Sequence, residues 1–271
     1  MERIEIVVDE TEVDLISDLL WSSGVMAIEE RAEGPGTLRL LTGIEQSQLG
    51  ELLSTIDGRW GVKHYPSDPA AYADAWKPYA RATRIGESLV LQPPWAPDIA
   101  RAGDRVLSID PGEAWGHGAH PSTRLLAAEL VARADVRGAR VLDLGCGSGV
   151  LSLVAVAYGA ESVVALDIEV AAVEASMANA AVNGLDDRIL CSTEPLSQVE
   201  GSFDIILANI GLATCNSFAH EFAERRREHG WIGISGLLNE QVDEAVAHFE
   251  TQGLREELRR SESGWSAIVF K

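Results

Sequence analysis

The sequence is poor in cysteine, and its few cysteines are widely spaced. Cys146, Cys191 and Cys215 form no Cys-x-x-Cys pair and no cluster with histidine at metal-ligand spacing. An odd number of scattered cysteines argues against a disulfide framework. We therefore expect three buried or partly buried free thiols and no metal site.

Long apolar runs are also lacking. No run reaches the roughly 18 residues that a bilayer-spanning helix needs. The N-terminal segment, M-E-R-I-E-I-V-V-D-E, is charged and has no apolar core of the kind found in a signal peptide. These features predict a cytoplasmic protein with no membrane partner.

Positive charge is scarce, because 22 Lys and Arg residues face 42 Asp and Glu residues, giving a formal net charge of −20. Such a surface repels nucleic acid and anionic membranes, so direct binding to phosphates is disfavoured. The charge favours a basic protein or peptide as partner, and solubility or a saline habitat explains it equally well. It says nothing about the oligomeric state.

Residues 1–66 predict a small α+β domain. The apolar spacing alternates, becomes helical and alternates again in the order strand, helix, strand, strand, helix, strand, which is the ferredoxin-like pattern. This segment has 13 acidic and 5 basic residues and no cluster of catalytic groups. A binding role is therefore expected. Residues 67–80, flanked by prolines, are expected to form a linker.

Residues 81–271 alternate strand and helix patterns, which predicts an α/β domain with a doubly wound, mostly parallel sheet. The expected strands are 88–92, 105–109, 140–144, 162–167, 203–208, 230–235, 254–260 and 265–270. The expected helices are 122–134, 149–158, 169–183, 213–227 and 239–252. A short turn joins the last two strands, so they must pair antiparallel or lie at an edge.

A glycine-rich turn follows the third of these strands. Residues 141–149, V-L-D-L-G-C-G-S-G, place three glycines between an apolar strand and a helix, where backbone can approach a ligand closely. The spacing is G-x-G-x-G, whereas dinucleotide sites have G-x-G-x-x-G. Asp143 just before the turn would disfavour a pyrophosphate and favour a ligand with an amino group and a sulfonium. S-adenosylmethionine fits best; a dinucleotide site and simple packing are the alternatives.

Two further polar residues follow apolar strands. Asp167 ends S-V-V-A-L-D, which predicts a carboxylate beside the glycine turn that could accept from both ribose hydroxyls or cap the next helix. Asn209 ends F-D-I-I-L-A-N, which predicts an amide beside the methyl donor or a strand-ending turn residue.

A loop covering residues 110–123, D-P-G-E-A-W-G-H-G-A-H-P-S-T, precedes a predicted helix. Loops of this composition commonly cover ligands. Thr123 lies near the start of the helix, where its hydroxyl could bind the cofactor or cap the helix.

These segments together resemble the ribosomal protein L11 methyltransferase family. The resemblance spans roughly residues 72–245 and rests on the 110–123 loop, the glycine turn and four short motifs, A-L-D-I, N-A-A-V-N-G, L-A-N-I and I-S-G-L-L. It implies a class I methyltransferase domain with a seven-stranded sheet. It also implies a ferredoxin-like N-terminal domain that recognises a basic ribosomal protein, whose lysine side chains and N-terminal α-amine are methylated from S-adenosylmethionine.

The resemblance also implies site residues. Those expected to bind the cofactor are Thr123, Gly145, Gly147, Asp167, Ile168 and Asn209. Asn209 is in addition a candidate for positioning the amine, and no general base is assigned.

The 110–123 loop departs from the family pattern. Gly116-His117-Gly118 stands where G-T-G is usual, Pro121-Ser122-Thr123 where P-T-T is usual, and Trp115 where Phe is usual. His117 is either a hydrogen-bonding substitute or a new general base. These changes leave other methyl acceptors open, either a different protein or a small-molecule amine.

Overall fold

The structure is a computed structural model that describes residues 2–23, 25, 28–56, 60–66, 81–112, 114, 116 and 118–271. The chain divides into two compact units, residues 1–78 and 79–271. The predicted linker at residues 67–80 lies outside the described residues, as do Trp115 and His117. Within the described part of the chain, no helix is both long enough and apolar enough to cross a membrane.

The N-terminal unit contains a four-stranded antiparallel sheet. Its elements are β1 (Glu2–Asp9), α1 (Val13–Ser22), β2 (Ile28–Gly34), β3 (Thr37–Ile44), α2 (Leu49–Thr55) and β4 (Val62–Pro66). The strands lie in the order β2-β3-β1-β4, and each neighbouring pair is antiparallel. Alternation in β1 buries Ile4, Ile6 and Val8 in one core with Ile16 of α1 and Leu52 of α2.

The C-terminal unit alternates strands and helices. Its strands are β5 (Thr83–Ile85), β6 (Leu89–Gln92), β7 (Arg105–Ser108), β8 (Arg140–Leu144), β9 (Ser162–Leu166), β10 (Ile189–Ser192), β11 (Phe203–Asn209), β12 (Arg226–Leu238), β13 (Glu256–Glu262) and β14 (Trp265–Phe270). Its helices are α3 (Pro121–Ala132), α4 (Val150–Ala157), α5 (Val170–Val182), α6 (Leu212–Arg225) and α7 (Val242–Glu250).

The central sheet has the strand order β10-β9-β8-β11-β12-β14-β13. The first five strands are parallel, and β14 pairs antiparallel with both β12 and β13. The predicted α/β fold with a mostly parallel central sheet is therefore confirmed. The short turn between β13 and β14 contains Ser263 and Gly264 at φ 49° and 84°, the left-handed conformation that a tight hairpin requires.

Both faces of the inner strands β8, β9 and β11 are buried, which explains why these strands are largely apolar. In β8, Val141 packs into one core and Leu142 into the other. Likewise Ile205 and Ile206 of β11 face opposite sides. From β8 the chain passes through α4 to β9, which lies beside one edge of β8 in the sheet, whereas β11 lies beside the other edge. This reversal opens a crevice at the carboxyl ends of β8 and β11, the usual position for a ligand.

The sequence-based expectation differs from the structure in several details. Strands β5 and β10 lie where no strand was predicted, and β12 begins at Arg226, inside the helix predicted at 213–227. The strands predicted at 88–92 and 105–109 do not join the central sheet; as β6 and β7 they form a separate three-stranded sheet with β5. The strand predicted at 254–260 is observed as Glu256–Glu262, two residues farther along the chain.

Candidate functional site

The glycine turn leads from β8 into α4 and depends on its glycines for space. Gly145 and Gly149 have φ angles of 74° and 82°. A Cβ at Gly145 would collide with the Ile210 side chain, and a Cβ at Gly149 would collide with Ser176 of α5. The amide of Gly145 donates to the carbonyl of Leu166 at 2.8 Å, which ties the turn to the end of β9. The backbone is thus held at the mouth of the crevice without side chains in the way.

Asp167 follows β9 directly and contacts this turn. Its Oδ2 accepts from the amide of Gly147 at 2.9 Å, and its Oδ1 accepts from the amide of Glu169 at 3.1 Å. Each carboxylate oxygen therefore has one backbone donor and keeps acceptor capacity for a ligand. The next residue, Ile168, exposes 94% of its surface and offers an apolar face beside the carboxylate.

Asn209 and Thr123 meet at the carboxyl end of β11. The Asn209 Nδ2 group donates to the Thr123 hydroxyl oxygen at 2.9 Å. Thr123 is buried in the first turn of α3, and its hydroxyl proton remains available to donate. The Oδ1 atom of Asn209 is buried and has no hydrogen-bond partner among the described residues. A buried acceptor of this kind favours a ligand that brings a donor.

Asp143 is a second buried acceptor, and its carboxylate is 1% exposed. Its Oδ2 accepts from the amide and the hydroxyl of Ser152 at 3.0 and 2.6 Å. Its Oδ1 is buried without a partner among the described residues. Burial raises the pKa of Asp143 to about 6, against the hydrogen bonds from Ser152, and the charge of Asp167 adds to the rise.

These groups surround one pocket. Its lining residues are Gly116, Thr123, Asp143, Gly145, Cys146, Gly147, Ser148, Val150, Leu151 and Asn209. The structure thus brings together four of the predicted residues, Thr123, Gly145, Gly147 and Asn209. Asp167 is joined to the pocket through its bond to Gly147, and Ile168 lies beside Asp167 but outside the lining.

The 110–123 loop contributes Gly116 and Thr123 to the pocket. The Ser148 hydroxyl of the glycine turn donates to the Gly116 carbonyl. The loop ends at His120, which caps α3: its Nδ1 accepts from the amide of Ser122 at 3.4 Å. The His120 ring packs edge-on against Trp265 of β14, with ring centroids 4.7 Å apart. The His117 proposal as general base falls on a residue outside the described set.

Sequence reasoning missed the residues that hold the pocket walls. Ser152 fixes Asp143, and Asn179 of α5 donates to the carbonyls of both Asp110 and Ser148 at 2.9 Å. The motif N-A-A-V-N-G drew attention to Asn179 only as a family signature. A buried asparagine in a helix interior is itself a signal, because its amide needs partners that the helix backbone does not supply.

The pocket lining includes one thiol, that of Cys146. No group of three or more His, Cys, Asp or Glu residues within the described chain is arranged to hold a metal ion. The Cys146 thiol lies in the pocket wall, and burial together with the nearby carboxylates raises its pKa far above neutrality. Cys146 therefore stays a neutral thiol and is not an activated nucleophile.

A larger groove lies at the opposite, amino-terminal edge of the central sheet. It is lined by Asp135, Arg137, Gly138, Ala139, Asp204, Arg227, Glu228, His229 and Trp231. Two of its charged side chains, Arg227 and Asp204, already form an ion pair with each other at 2.7 Å. The groove shares no residue with the glycine-turn pocket, so the two are separate features.

Comparison with known proteins identifies the family of the chain. Residues 46–271 match the family described as ribosomal protein L11 methyltransferase (PrmA). The ribosomal protein L11 methyltransferase of Geobacter sp. is 38% identical over 205 residues, which is 74% of this chain and 66% of that protein. The corresponding protein of Sorangium cellulosum is 34% identical over 259 residues, 89% of this chain and 80% of that protein. This chain thus spans slightly less than two thirds of the Geobacter protein.

Solved structures agree with this placement. The crystal structure of ribosomal protein L11 methylase from Lactobacillus delbrueckii subsp. bulgaricus superposes with a TM-score of 0.65 at 28% identity, covering 71% of this chain and 98% of that one. A tRNA methyltransferase of M. jannaschii, with a TM-score of 0.51 at 14% identity, shares the fold alone. With its family match over residues 46–271, the chain belongs to the ribosomal protein L11 methyltransferase family.

Proposed function

We propose that this protein transfers methyl groups from S-adenosylmethionine to amines of the ribosomal protein L11, namely lysine side chains and the N-terminal α-amine. The observation that carries the proposal is the pair of buried acceptors, Asp143 Oδ1 and Asn209 Oδ1, in one glycine-walled pocket. A ligand with an ammonium group and a substrate with an amine together supply the donors that these atoms lack.

The residues present fit S-adenosylmethionine. Asp167 keeps acceptor capacity for the two ribose hydroxyls, and Ile168 offers an apolar face for the base. Asp143 supplies a carboxylate for the ammonium group, and Thr123 a hydroxyl donor for the carboxylate of the cofactor. Gly145 and Gly147 let these groups approach the backbone. The bound cofactor supplies a methyl group already activated by its sulfonium.

The protein must then present a neutral amine in line with that methyl group. An unperturbed lysine with pKa about 10.4 costs about 4.6 kcal/mol to deprotonate at pH 7, and an α-amine costs about 1–1.4 kcal/mol. A closed apolar site lowers the lysine cost by disfavouring the charged form. We propose that Asn209 Oδ1 accepts an N–H of the amine and so aims its lone pair, which its burial without a partner among the described residues supports. Positioning of this kind is the protein's main contribution to the rate.

The N-terminal part is proposed as the substrate-recognition domain, with residues 1–66 as a ferredoxin-like domain, 67–80 as a linker and 81–271 as the methyltransferase domain. The sheet order β2-β3-β1-β4 with all pairs antiparallel supports the ferredoxin-like assignment. The 13 acidic against 5 basic residues favour a basic partner such as a ribosomal protein. A ribosomal substrate also implies a cytoplasmic location.

Labelling of a cell lysate tests the acceptor. The lysate is incubated with the purified protein and S-adenosylmethionine carrying a radioactive methyl group, and labelled bands are identified by mass spectrometry. We expect one small basic band, L11, methylated at lysines and at its N-terminus. A different labelled protein, or label found only in small molecules, would replace the proposed acceptor with one of the alternatives.

A deletion tests the division of labour between the two parts. Removing residues 1–66 is expected to abolish methylation of intact L11 while leaving the affinity for S-adenosylhomocysteine unchanged, because the pocket lies wholly within residues 81–271. The retained affinity also reports that the remaining domain is folded. Full activity of the truncated protein on L11 would contradict the recognition role.

A further inference from the structure

Two asparagines one helical turn apart, Asn179 of α5 and Asn183 at its C-terminal cap, bind the backbone at the end of β7 and just after it. Asn183 accepts from the Ser108 amide at 2.9 Å and donates to the Ser108 carbonyl at 2.7 Å. Asn179 repeats this pattern with Asp110, accepting from its amide and donating to its carbonyl, both at 2.9 Å. Each side-chain amide thus pairs with both the N–H and the carbonyl of one residue, much as a neighbouring strand would.

The second N–H of each amide distinguishes the two residues. In Asn183 it reaches the carbonyl of Asn179 at 2.7 Å, within the same helix. In Asn179 it reaches the carbonyl of Ser148 at 2.9 Å, in the glycine turn. Asn179 is 3% exposed, so both of its N–H groups and its oxygen are committed to these three bonds. Asn179 therefore joins the start of the 110–123 loop to the glycine turn, and Asn183 does not.

Ser148 extends this connection into the pocket. It is 1% exposed, its carbonyl accepts from Asn179, and its hydroxyl donates to the carbonyl of Gly116 farther along the same loop. Ser148 and Gly116 both line the pocket. The loop is thus bonded to the turn at two points, Asp110 through Asn179 and Gly116 through Ser148.

We propose that Asn179 is a positioning residue for methyl transfer, which acts through Ser148 to fix the glycine turn against the 110–123 loop. The proposal rests on the proposed function, because the ligand held between turn and loop is S-adenosylmethionine. Without Asn179 the Ser148 carbonyl and both backbone groups of Asp110 lose their buried partners. The turn and the loop can then move apart, so that these backbone groups bind water instead. Binding of the cofactor must bring them back together, which costs part of the binding free energy.

Asn183 provides the matched control. Asn179→Ala and Asn183→Ala each remove three hydrogen bonds of one buried or half-buried amide from the same helix. Only the first breaks a bond to the pocket wall. We expect both variants to unfold at a lower temperature than the wild type, which a structural role alone accounts for.

The distinguishing readout is cofactor affinity, measured by calorimetry with S-adenosylhomocysteine on the full-length protein. Asn179→Ala is expected to weaken binding about tenfold, whereas Asn183→Ala stays within about twofold of the wild type. In assays with L11, Asn179→Ala is expected to raise KM for S-adenosylmethionine by a similar factor with kcat changed less than about threefold. Equal affinities of the two variants would overturn the proposal and leave Asn179 a structural residue.

Ser148→Ala keeps the test decisive if Asn179→Ala does not fold. It removes the hydroxyl bond to Gly116 and leaves the backbone bond to Asn179 in place. We expect a loss of affinity of about three- to fivefold, and faster deuterium exchange at Gly116. Unchanged affinity and exchange would overturn the connection. Failure of the wild type itself to bind S-adenosylhomocysteine would instead refute the proposed function.

Discussion

Asp143 and Asp167 lie near the carboxyl ends of adjacent strands, β8 and β9, but their surroundings differ. Asp143 is 1% exposed and receives its two hydrogen bonds on one oxygen, both from Ser152. Asp167 is half-buried and receives one backbone N–H on each oxygen, from Gly147 and Glu169. Asp143, the inner carboxylate, has one oxygen with two hydrogen bonds and one buried oxygen with no partner among the described residues. Asp167, the outer carboxylate, has one hydrogen bond on each oxygen and room for more.

This difference suits the two carboxylates to recognise different groups of the cofactor. A buried charge with a free oxygen is unfavourable until a cation arrives, and burial already raises the pKa of Asp143 to about 6. Asp143 is therefore suited to recognising the ammonium group of the cofactor by charge. Asp167 is suited to recognising neutral hydroxyls by hydrogen bonding. The two should respond differently to ligands that keep only one of these groups.

Asp143→Asn is expected to have the largest effect. It keeps the size of the side chain, removes the charge, and turns an N–H group toward the pocket when its oxygen takes the bonds from Ser152. Loss of a buried charge partner should weaken S-adenosylhomocysteine binding by about 100-fold or more in calorimetry at pH 8. The same variant should bind methylthioadenosine, which lacks the ammonium group, within about twofold of the wild type.

Asp204→Asn is the matched control for this variant. Asp204 also accepts a backbone amide beside β8, from Arg140 at 2.8 Å, but at the amino-terminal edge of the sheet. It should change neither affinity. If Asp143→Asn weakens both ligands equally, the inner carboxylate shapes the pocket rather than recognising charge.

Asp167→Ala is expected to be next in size and to show the opposite selectivity. Because the hydroxyls are present in both ligands, S-adenosylhomocysteine and methylthioadenosine should each lose about 10- to 30-fold in affinity. Part of the loss comes from the Gly147 amide, which no longer has its acceptor. A loss confined to S-adenosylhomocysteine would place the ammonium group at Asp167 and reverse the comparison.

Much of this site was predictable because it depends on local sequence. The three glycines at 145, 147 and 149 predict a strand-to-helix turn. Asp167 directly follows the apolar strand β9, and Asn209 is the last residue of the apolar strand β11. Parallel strands bring their carboxyl ends to one edge, so the adjacency of these residues follows from the pattern alone. Thr123 was predictable only through the resemblance of the loop before it.

The long-range contacts were not predictable in the same way. The bond between Asn179 and Asp110 joins residues 69 positions apart, and no periodicity encodes it. Strand β6 is largely apolar and buried, like the inner strands of the central sheet, so its position in a second sheet is decided by packing. The free oxygen of Asp143 depends on which donors surround it in three dimensions.

The pH dependence of binding separates the two carboxylates without a change of ligand. Asp143 has a pKa of about 6 in the protein, so its carboxylate is protonated as the pH falls through 6 and no longer attracts an ammonium group. Wild-type affinity for S-adenosylhomocysteine should be constant from pH 7 to 8 and about tenfold lower at pH 5. Asp143→Asn should show a flat profile over this range. The same decline in the variant would assign the titration to another group.

Deprotonation of Asp143 should lower the stability of the ligand-free protein, although it raises the affinity for the cofactor. The folded pKa of Asp143 is raised above its ordinary value of 3.8, so the folded state binds more protons between about pH 4 and 6. The free energy of unfolding of the ligand-free protein therefore decreases as the pH rises through this window, by about 3 kcal/mol from this residue. Denaturant unfolding of the wild type and Asp143→Asn should show their difference changing between pH 4 and 7. A constant difference would exclude a raised pKa.

Ile168→Ala is expected to have the smallest effect and tests whether the outer carboxylate has an apolar partner. Ile168 is 94% exposed, so its truncation should leave the unfolding temperature unchanged. If its face covers the base, both S-adenosylhomocysteine and methylthioadenosine should lose about three- to fivefold in affinity through lost apolar contact. Val182→Ala, at a 69% exposed position near the end of α5, is the control and should change neither ligand. If neither variant changes the affinity for either ligand, the residues that follow β9 recognise the cofactor only through the hydrogen bonds of Asp167.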